Sequence, residues 1–307
     1  YHDNFSFKVK NQIEIKELWN QETKNFFQSI PVNNVIVSGN IIYNILGLIE
    51  NQNRSLDFYI YSNNYKDIIG ELLEYINLES LPEISNSERI GACINKPGKF
   101  VAIGLNYYEH AVESVMDAPS EPIVFMKATS SINGPNDDIE ISKDSKELDW
   151  EVELGIVIGK ETKNISEKEA ENHILGYCLV NDISEREWQL KKMGQWVKGK
   201  SHDTYGPIGP YLVTKGEISD INNLNLSLDV NEQRMQTGNT EKMIFNVFYI
   251  VSYLSKFMSF QAGDIITTGT PPGVGMGKKP QVFLKAGDTI RLSIDNLGEQ
   301  NSKVVPE

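Results

Sequence analysis

From about residue 100 onward the chain is cut into short β-branched and aromatic runs by Gly, Pro, Asn and Asp, and this rhythm limits its fold more than any other feature. The segments EPIVFMKA (121–128), ELGIVIG (153–159), ILGYCLVND (174–182), PIGPYLVT (207–214), LNLSLDVN (224–231), DIITTG (264–269) and DTIRLSI (288–294) each have the length and side-chain type of a strand. Strands this closely spaced, with few helical intervals, specify an α+β, mostly β domain. One segment departs from the rhythm. EKMIFNVFYIVSYLSKFM (241–258) sets Ile244, Val247, Phe248, Val251, Leu254 and Met258 at helical spacing, which reads as a helix with a core-facing stripe. The Pro/Gly junction NKPGKF (95–100) divides a smaller N-terminal region, residues 1–90, from a second domain, residues 91–307. The first region carries runs such as NVIVSGNIIYNILGLIENQNRS but gathers no recognisable functional groups, and its role stays open.

Composition narrows the partners. A chain of 307 residues, 40% hydrophobic, can bury a core as one large domain or two smaller ones. Its formal charge of −13 opposes phosphate backbones and anionic lipid, and no stretch is apolar for long enough to span a bilayer, so nucleic acid and membrane are excluded as expected partners. The two cysteines, Cys93 and Cys178, form neither a metal-type spacing nor a disulfide framework, which points to a reducing, cytoplasmic setting. The opening YHDNFSFKVK has no initiator Met and no signal pattern, so a missing or processed start is expected.

The chemistry begins at DWEVELGIVIG (149–159). Strand side chains alternate faces, so Glu151, Glu153 and Gly155 share one face while Val152, Leu154 and Ile156 share the other. Two carboxylates that close, at the mouth of an apolar strand, need a cation between them, either Lys/Arg or a metal ion, unless the strand is a solvent-facing edge.

Four further clusters stand beside this pair. In NYYEHAVES, Asn106, His110 and Glu113 fall at i, i+4 and i+7, one face of a helix, where a carboxylate can raise the basicity of an imidazole. Asp182, Arg186 and Gln189 in VNDISEREWQLKK repeat that spacing, although an aspartate there can also be a simple N-cap. VKGKSHDTYGPIGP (197–210) sets Lys198 and Lys200 in a glycine-punctuated loop, where a lysine can neutralise an anion or merely be solvated. TTGTPPGVG (267–275) runs a strand into Gly269–Thr270 and a Pro-Pro-Gly turn.

Taken in order, GLNYYEHAVES, EPIVFMKATSSINGPND, DWEVELGIVIGK, GYCLVNDISEREWQ, KGKSHDTYGPIGP and TGTPPGVG resemble the fumarylacetoacetate hydrolase family over roughly residues 90–300. The stretch before about residue 80 does not share the resemblance. The likeness implies the β-roll or sandwich of that family's C-terminal domain with peripheral helices, and a homodimer. It implies that Glu151, Glu153 and Asp182 bind Mg²⁺ or Mn²⁺, which agrees with an all-oxygen donor set lacking the Cys or His that zinc prefers. On the same basis His110 is the general base partnered by Glu113, and Lys200 completes the catalytic set. Lys127, Arg186, Gln189 and Thr270 would contact a small anionic 2-oxo acid.

Within the family, GQWVKGKSHDTYGPIGP and NVFYIVSYLSKFMSFQAGDIITTGTPPGVG look most like the bacterial, acylpyruvase-like branch of 2,4-diketo-3-deoxy sugar-acid hydrolases. The expected reaction is metal-dependent hydrolysis of a C–C bond in a 2,4-dioxo acid, giving pyruvate and a carboxylic acid. Oxaloacetate decarboxylation, dienoate isomerisation or a catalytically silent binding role are the alternatives. No strand-linked Gly-x-Gly-x-x-Gly supports an oxidoreductase.

Overall fold

The computed structural model describes Val35–Val37, Tyr59–Ile60 and residues 89–307. The chain forms two compact units, Tyr1–Glu88 and Arg89–Glu307. In the first, strands β1 (Val35–Val37) and β2 (Tyr59–Ile60) pair antiparallel. The other apolar runs read in that region lie outside the described residues.

The second unit carries the other described strands: β3 (Phe100–Gly104), β4 (Ile123–Lys127), β5 (Ile132–Asn133), β6 (Ile139–Ile141), β7 (Leu148–Asp149), β8 (Val152–Ile158), β9 (Ile174–Asn181) and β10 (Ser184–Glu185). Then follow β11 (Gly206–Pro207), β12 (Val213–Thr214), β13 (Asn225–Val230), β14 (Gln233–Asn239), β15 (Ile265–Thr267), β16 (Thr289–Ile294) and β17 (Gly298–Pro306). Its α-helices are short: α1 (Tyr108–Glu113), α2 (Glu167–Ala170), α3 (Arg186–Lys191), α4 (Val197–Lys200) and α5 (Val247–Ser255). A six-stranded sheet runs in the order β12-β9-β8-β15-β3-β4, and a five-stranded sheet runs β14-β13-β16-β17-β6. The domain is therefore mostly β, as its sequence rhythm requires. Among the described residues no helix is long and apolar enough to cross a membrane.

Strand β8 lies inside the larger sheet, antiparallel to both β9 and β15, so it is not a solvent-facing edge. One face of β8, Val152, Leu154 and Ile156, packs with Leu226, Leu228 and Leu292 of the smaller sheet in the main core. Val157 turns the other way, into a second cluster with Phe100, Cys178, Val180 and Ile265. Gly155 lies under β9 so closely that a Cβ would stand 2.7 Å from Val180 and 2.8 Å from Cys178. Both cysteines are free thiols.

The structure changes several sequence expectations. The long helix begins at Val247 rather than near 241, because the Asn246 side chain accepts from the Tyr249 amide and caps it there. Ile244 is left outside, its amide donating to the Asn106 carbonyl. Val247, Val251 and Leu254 still enter the core, while Phe248 and Met258 are only partly buried against it. PIGPYLVT divides in two: β11 pairs parallel with β5 and β12 antiparallel with β9. Proline offers no amide hydrogen to a continuous ladder, and Pro207 and Pro210 both fall in this stretch. The smaller sheet also contains two strands that apolar alternation misses. β14 is a polar edge strand, and β17 buries Gln300 and Ser302. The Gln300 amide donates to the Leu179 and Gly209 carbonyls at 3.0 and 2.9 Å, which offsets the burial of its N–H groups, while its Oε1 has no partner among the described residues.

Candidate active site

The backbone places the three acids first. Glu151 immediately precedes β8, Glu153 is its second residue, and Asp182 follows the end of β9, the strand paired with β8. The Asp182 amide donates to the Glu151 carbonyl at 2.9 Å, which fixes the two acids side by side. Glu151, Glu153 and Asp182 are 3%, 1% and 0% exposed. Each offers a carboxylate oxygen, and these oxygens lie within 4.8 Å of one another.

Three buried cations answer this charge. Lys200 Nζ donates to Glu151 Oε2 at 2.5 Å and to Asp182 Oδ2 at 2.6 Å, so a lysine bridges two of the acids. Lys127 Nζ holds the other Asp182 oxygen at 2.6 Å and donates to the Lys200 carbonyl at 2.5 Å. Arg186 Nη2 donates to Glu151 Oε1 at 2.6 Å. Among the described residues Glu153 receives only neutral donors, the Thr267 hydroxyl and the Gly269 amide, both on Oε2.

The electrostatics follow from these partners. Burial works to raise the Glu151 carboxyl, but Arg186 and then Lys200 outweigh it and hold it well below the usual carboxylate range. Burial, reinforced by the Asp182 and Glu151 charges, pushes Glu153 well above that range. Burial also lowers Lys127, with Asp182 only partly opposing it, whereas Asp182 and Glu151 overcome burial and raise Lys200.

The His–Glu pair forms on α1. His110 and Glu113 are one helical turn apart, and His110 Nδ1 lies 2.8 Å from Glu113 Oε1. The Gly273 amide holds the second glutamate oxygen, Oε2, at 2.8 Å. Asn106 does not join that helical face as its spacing suggests. It precedes α1, and its side chain donates to the Phe245 and Thr268 carbonyls and accepts from the Phe245 amide, latching segments together.

A pocket of about 390 Å³, counting its open mouth, brings together His110, Glu151, Glu153, Arg186, Gln189 and Lys200. Thr270 lines it as well, although its hydroxyl is already engaged, donating to the Val152 carbonyl at 3.0 Å and accepting from Gln236 Nε2 at 2.8 Å. Gln189 Oε1 accepts from Arg186 Nη1 at 3.0 Å. Lys127, fully enclosed behind Asp182, does not line the pocket. In this position its ammonium holds the Asp182 carboxylate. Asp182 is not an N-cap: Ser184–Glu185 forms β10, and Glu185 caps α3 by accepting from the Glu187 amide. Of the two loop lysines, Lys198 is exposed and Lys200 ends α4 inside the site.

Several groups here fall inside the quoted segments without a role assigned from sequence. Phe125 and Trp196 meet edge-on at 5.3 Å in the pocket wall, and Lys200 Nζ lies 5.1 Å from the centre of the Phe125 ring. Ser114 Oγ is buried at the pocket with no hydrogen-bond partner among the described residues. Neither type is distinctive in sequence, so only their placement singles them out.

The acid cluster fits a metal. Its donors are all hard carboxylate oxygens, they converge, and among the described residues no cation donates a hydrogen bond to Glu153.

Comparison with known proteins agrees in both sequence and architecture. Residues 99–305 match the model described as fumarylacetoacetate (FAA) hydrolase C-terminal. A Burkholderia ambifaria protein named no more specifically than a hydrolase is 58% identical over 229 residues, 74% of this chain and 81% of its own. The structure of a fumarylacetoacetate hydrolase from the psychrophilic Exiguobacterium antarcticum is 35% identical, with a TM-score of 0.69 over 76% of this chain and 83% of that one. That of a 2-hydroxyhepta-2,4-diene-1,7-dioate isomerase from Mycobacterium marinum is 36% identical, with a TM-score of 0.62 over 71% and 77%. With the family's model spanning the whole two-sheet domain and its acid cluster, the chain belongs to the fumarylacetoacetate hydrolase family.

Proposed function

We propose that this protein is a divalent-metal-dependent hydrolase that cleaves the C–C bond of a 2,4-dioxo acid to pyruvate and a carboxylic acid. The observation that carries the reading is the meeting, in one pocket, of a carboxylate-paired histidine with Glu151, Glu153, Arg186 and Lys200, with an Asp182 oxygen within 4.8 Å of both glutamates. Glu151, Glu153 and Asp182 would hold Mg²⁺ or Mn²⁺. When bound, that ion supplies a Lewis acid for the substrate's 2-oxo and carboxylate oxygens.

The protein's own groups do the rest. Glu113 takes the Nδ1 side of His110, so the ring's other nitrogen can accept a proton from water as the water oxygen adds to the 4-carbonyl carbon. The C3–C4 bond then breaks, its electron pair leaves with the pyruvate enolate, and the proton held on His110 returns to C3. One water is consumed and no net charge transfer is left over. Lys200 and Gln189 face developing oxyanion charge, and Arg186 adds positive charge to the same wall. Ser114, buried and unpartnered, is suited to a hydroxyl of the acyl chain, which favours a 2,4-diketo-3-deoxy sugar acid as the substrate. A small anionic 2-oxo acid and a second copy of the chain are the partners on this reading.

A second reading has its own support, since a structural neighbour is named as a dienoate isomerase. There the histidine would move a proton between carbons without consuming water. Incubating the Mg²⁺- and Mn²⁺-loaded protein with 2,4-dioxo acids, oxaloacetate and dienoic acids, with pyruvate and carbon dioxide measured separately, tests both. Pyruvate without carbon dioxide from a 2,4-dioxo acid supports hydrolysis. Equal pyruvate and carbon dioxide from oxaloacetate alone, or spectral conversion with neither, overturns it.

A further inference from the structure

Asp149 belongs to none of the chemistry assigned so far, yet it is completely buried at the centre of it. It ends β7, whose partner β10 leads directly into Arg186. A buried carboxylate is costly unless its lone pairs are filled, and here four N–H groups fill them. Oδ1 accepts from the Gly275 amide at 2.6 Å and the Trp150 amide at 2.8 Å. Oδ2 accepts from Arg186 Nε at 2.9 Å and the Met276 amide at 3.0 Å.

Apart from the neighbouring Trp150 amide, these donors come from two places that the site must keep in register. Arg186 is the arm whose Nη2 holds Glu151. Gly275 and Met276 belong to the turn whose Gly273 amide holds Glu113, and Glu113 holds His110. The turn is built to approach this carboxylate. A Cβ on Gly275 would lie 2.8 Å from Asp149 Oδ1 and 1.9 Å from the Val282 carbonyl. Trp150 adds a second tie, its indole N–H donating to the Gly273 carbonyl at 3.3 Å.

We propose that Asp149 is a positioning residue that fixes the His110–Glu113 pair relative to the Arg186–Glu151 arm, by clamping the 273–277 turn and the guanidinium with one carboxylate. It rests on the functional reading only for its kinetic consequence. The mechanical claim stands apart from any substrate.

The test is Asp149→Asn, which keeps size but turns one acceptor oxygen into a donor facing N–H groups. Hydrogen exchange of the metal-free protein should show the Gly275 and Met276 amides opening about 10-fold faster or more, with faster exchange spreading to α1 but not to β8 or β9. Calorimetric Mn²⁺ affinity should weaken by less than about 10-fold, because Asp149 reaches the proposed ligand Glu151 only through Arg186, whose own bond to Glu151 the substitution leaves in place. On a 2,4-dioxo acid, kcat should fall roughly 100-fold with KM within about 3-fold, the signature of a displaced base rather than lost binding. Unchanged exchange in the turn, exchange spread through both sheets, or loss of Mn²⁺ binding would each overturn the proposal. If Asp149→Asn does not fold, Asp149→Ser, which leaves one acceptor and space for water, takes its place. Failure of both to fold assigns the residue to stability alone and also overturns the idea. A wild-type protein inert toward every dioxo acid defeats the functional reading, while the exchange and Mn²⁺ measurements still decide the role of Asp149.

Discussion

Replacing Lys127 by Met separates two roles that the same residue could hold. By resemblance Lys127 contacts substrate, but the structure encloses it behind Asp182, 1% exposed and outside the pocket wall. Its Nζ donates to Asp182 Oδ1 at 2.6 Å, to the Lys200 carbonyl at 2.5 Å and to the Ile183 carbonyl at 3.4 Å. Methionine matches the length and fills the space, so almost no cavity term enters. What is lost is one partner of a buried ion pair, which costs about 3–5 kcal/mol, together with the donors to two carbonyls. Lys200 still holds the other Asp182 oxygen at 2.6 Å, so the acid is not stranded and the lower end, about 3 kcal/mol, is expected. For a folded unit of this size each kcal/mol moves the melting temperature by about 2–4 °C, giving a drop of about 6–12 °C. Thermal and urea unfolding of the metal-free protein measure it. A loss below about 1 kcal/mol, accompanied by a large rise in KM, would refute the enclosed role and return Lys127 to the substrate.

Three further outcomes bear on the site itself. Glu153→Gln should weaken Mn²⁺ binding by about 10-fold or more in calorimetry, since a charged ligand becomes neutral, and unchanged affinity would remove Glu153 from the ligand set. His110→Ala should lower turnover of a 2,4-dioxo acid by roughly 10²–10⁴-fold while sparing Mn²⁺ affinity, and near-normal turnover would make the imidazole a bystander. A 2,4-diketo-3-deoxy sugar acid should give a kcat/KM at least about 10-fold above that of oxaloacetate, about 1.4 kcal/mol of transition-state binding. Equal or better efficiency on oxaloacetate, with carbon dioxide matching pyruvate, would favour decarboxylation.

What could be read from the chain alone was whatever depends on its local period. Alternation along a strand put Glu151 and Glu153 on one side of β8 before any partner was known, and a helical turn put Glu113 within reach of His110. The same periodicity, applied where the backbone is not regular, misled. Asn106 and Asp182 match helical spacing but lie outside α1 and α3, because Ser184–Glu185 is extended and α1 starts only at Tyr108. Strands β14 and β17 were hidden for a related reason: polar residues such as Gln300 face inward, their amide N–H groups donating to carbonyls of distant segments that a local pattern does not reveal.

Only the tertiary structure decided which charges meet. Lys127, Lys198 and Lys200 are alike as residues, yet packing seals the first behind Asp182, leaves the second in solvent and drives the third between two carboxylates. The question raised by two glutamates on one strand face likewise has an answer written elsewhere in the chain, in donors 114 and 116 residues away for Glu153 and 35 and 49 residues away for Glu151. Asp149 shows the limit most clearly, since the turn it clamps lies 126 residues onward. Side-chain direction along a strand or helix is set by the dihedral angles of a few neighbouring residues, and so it is legible in sequence. The electrostatic environment of a buried acid is set by whichever distant segments the closed sheets bring against it, and that exists only once the chain has folded.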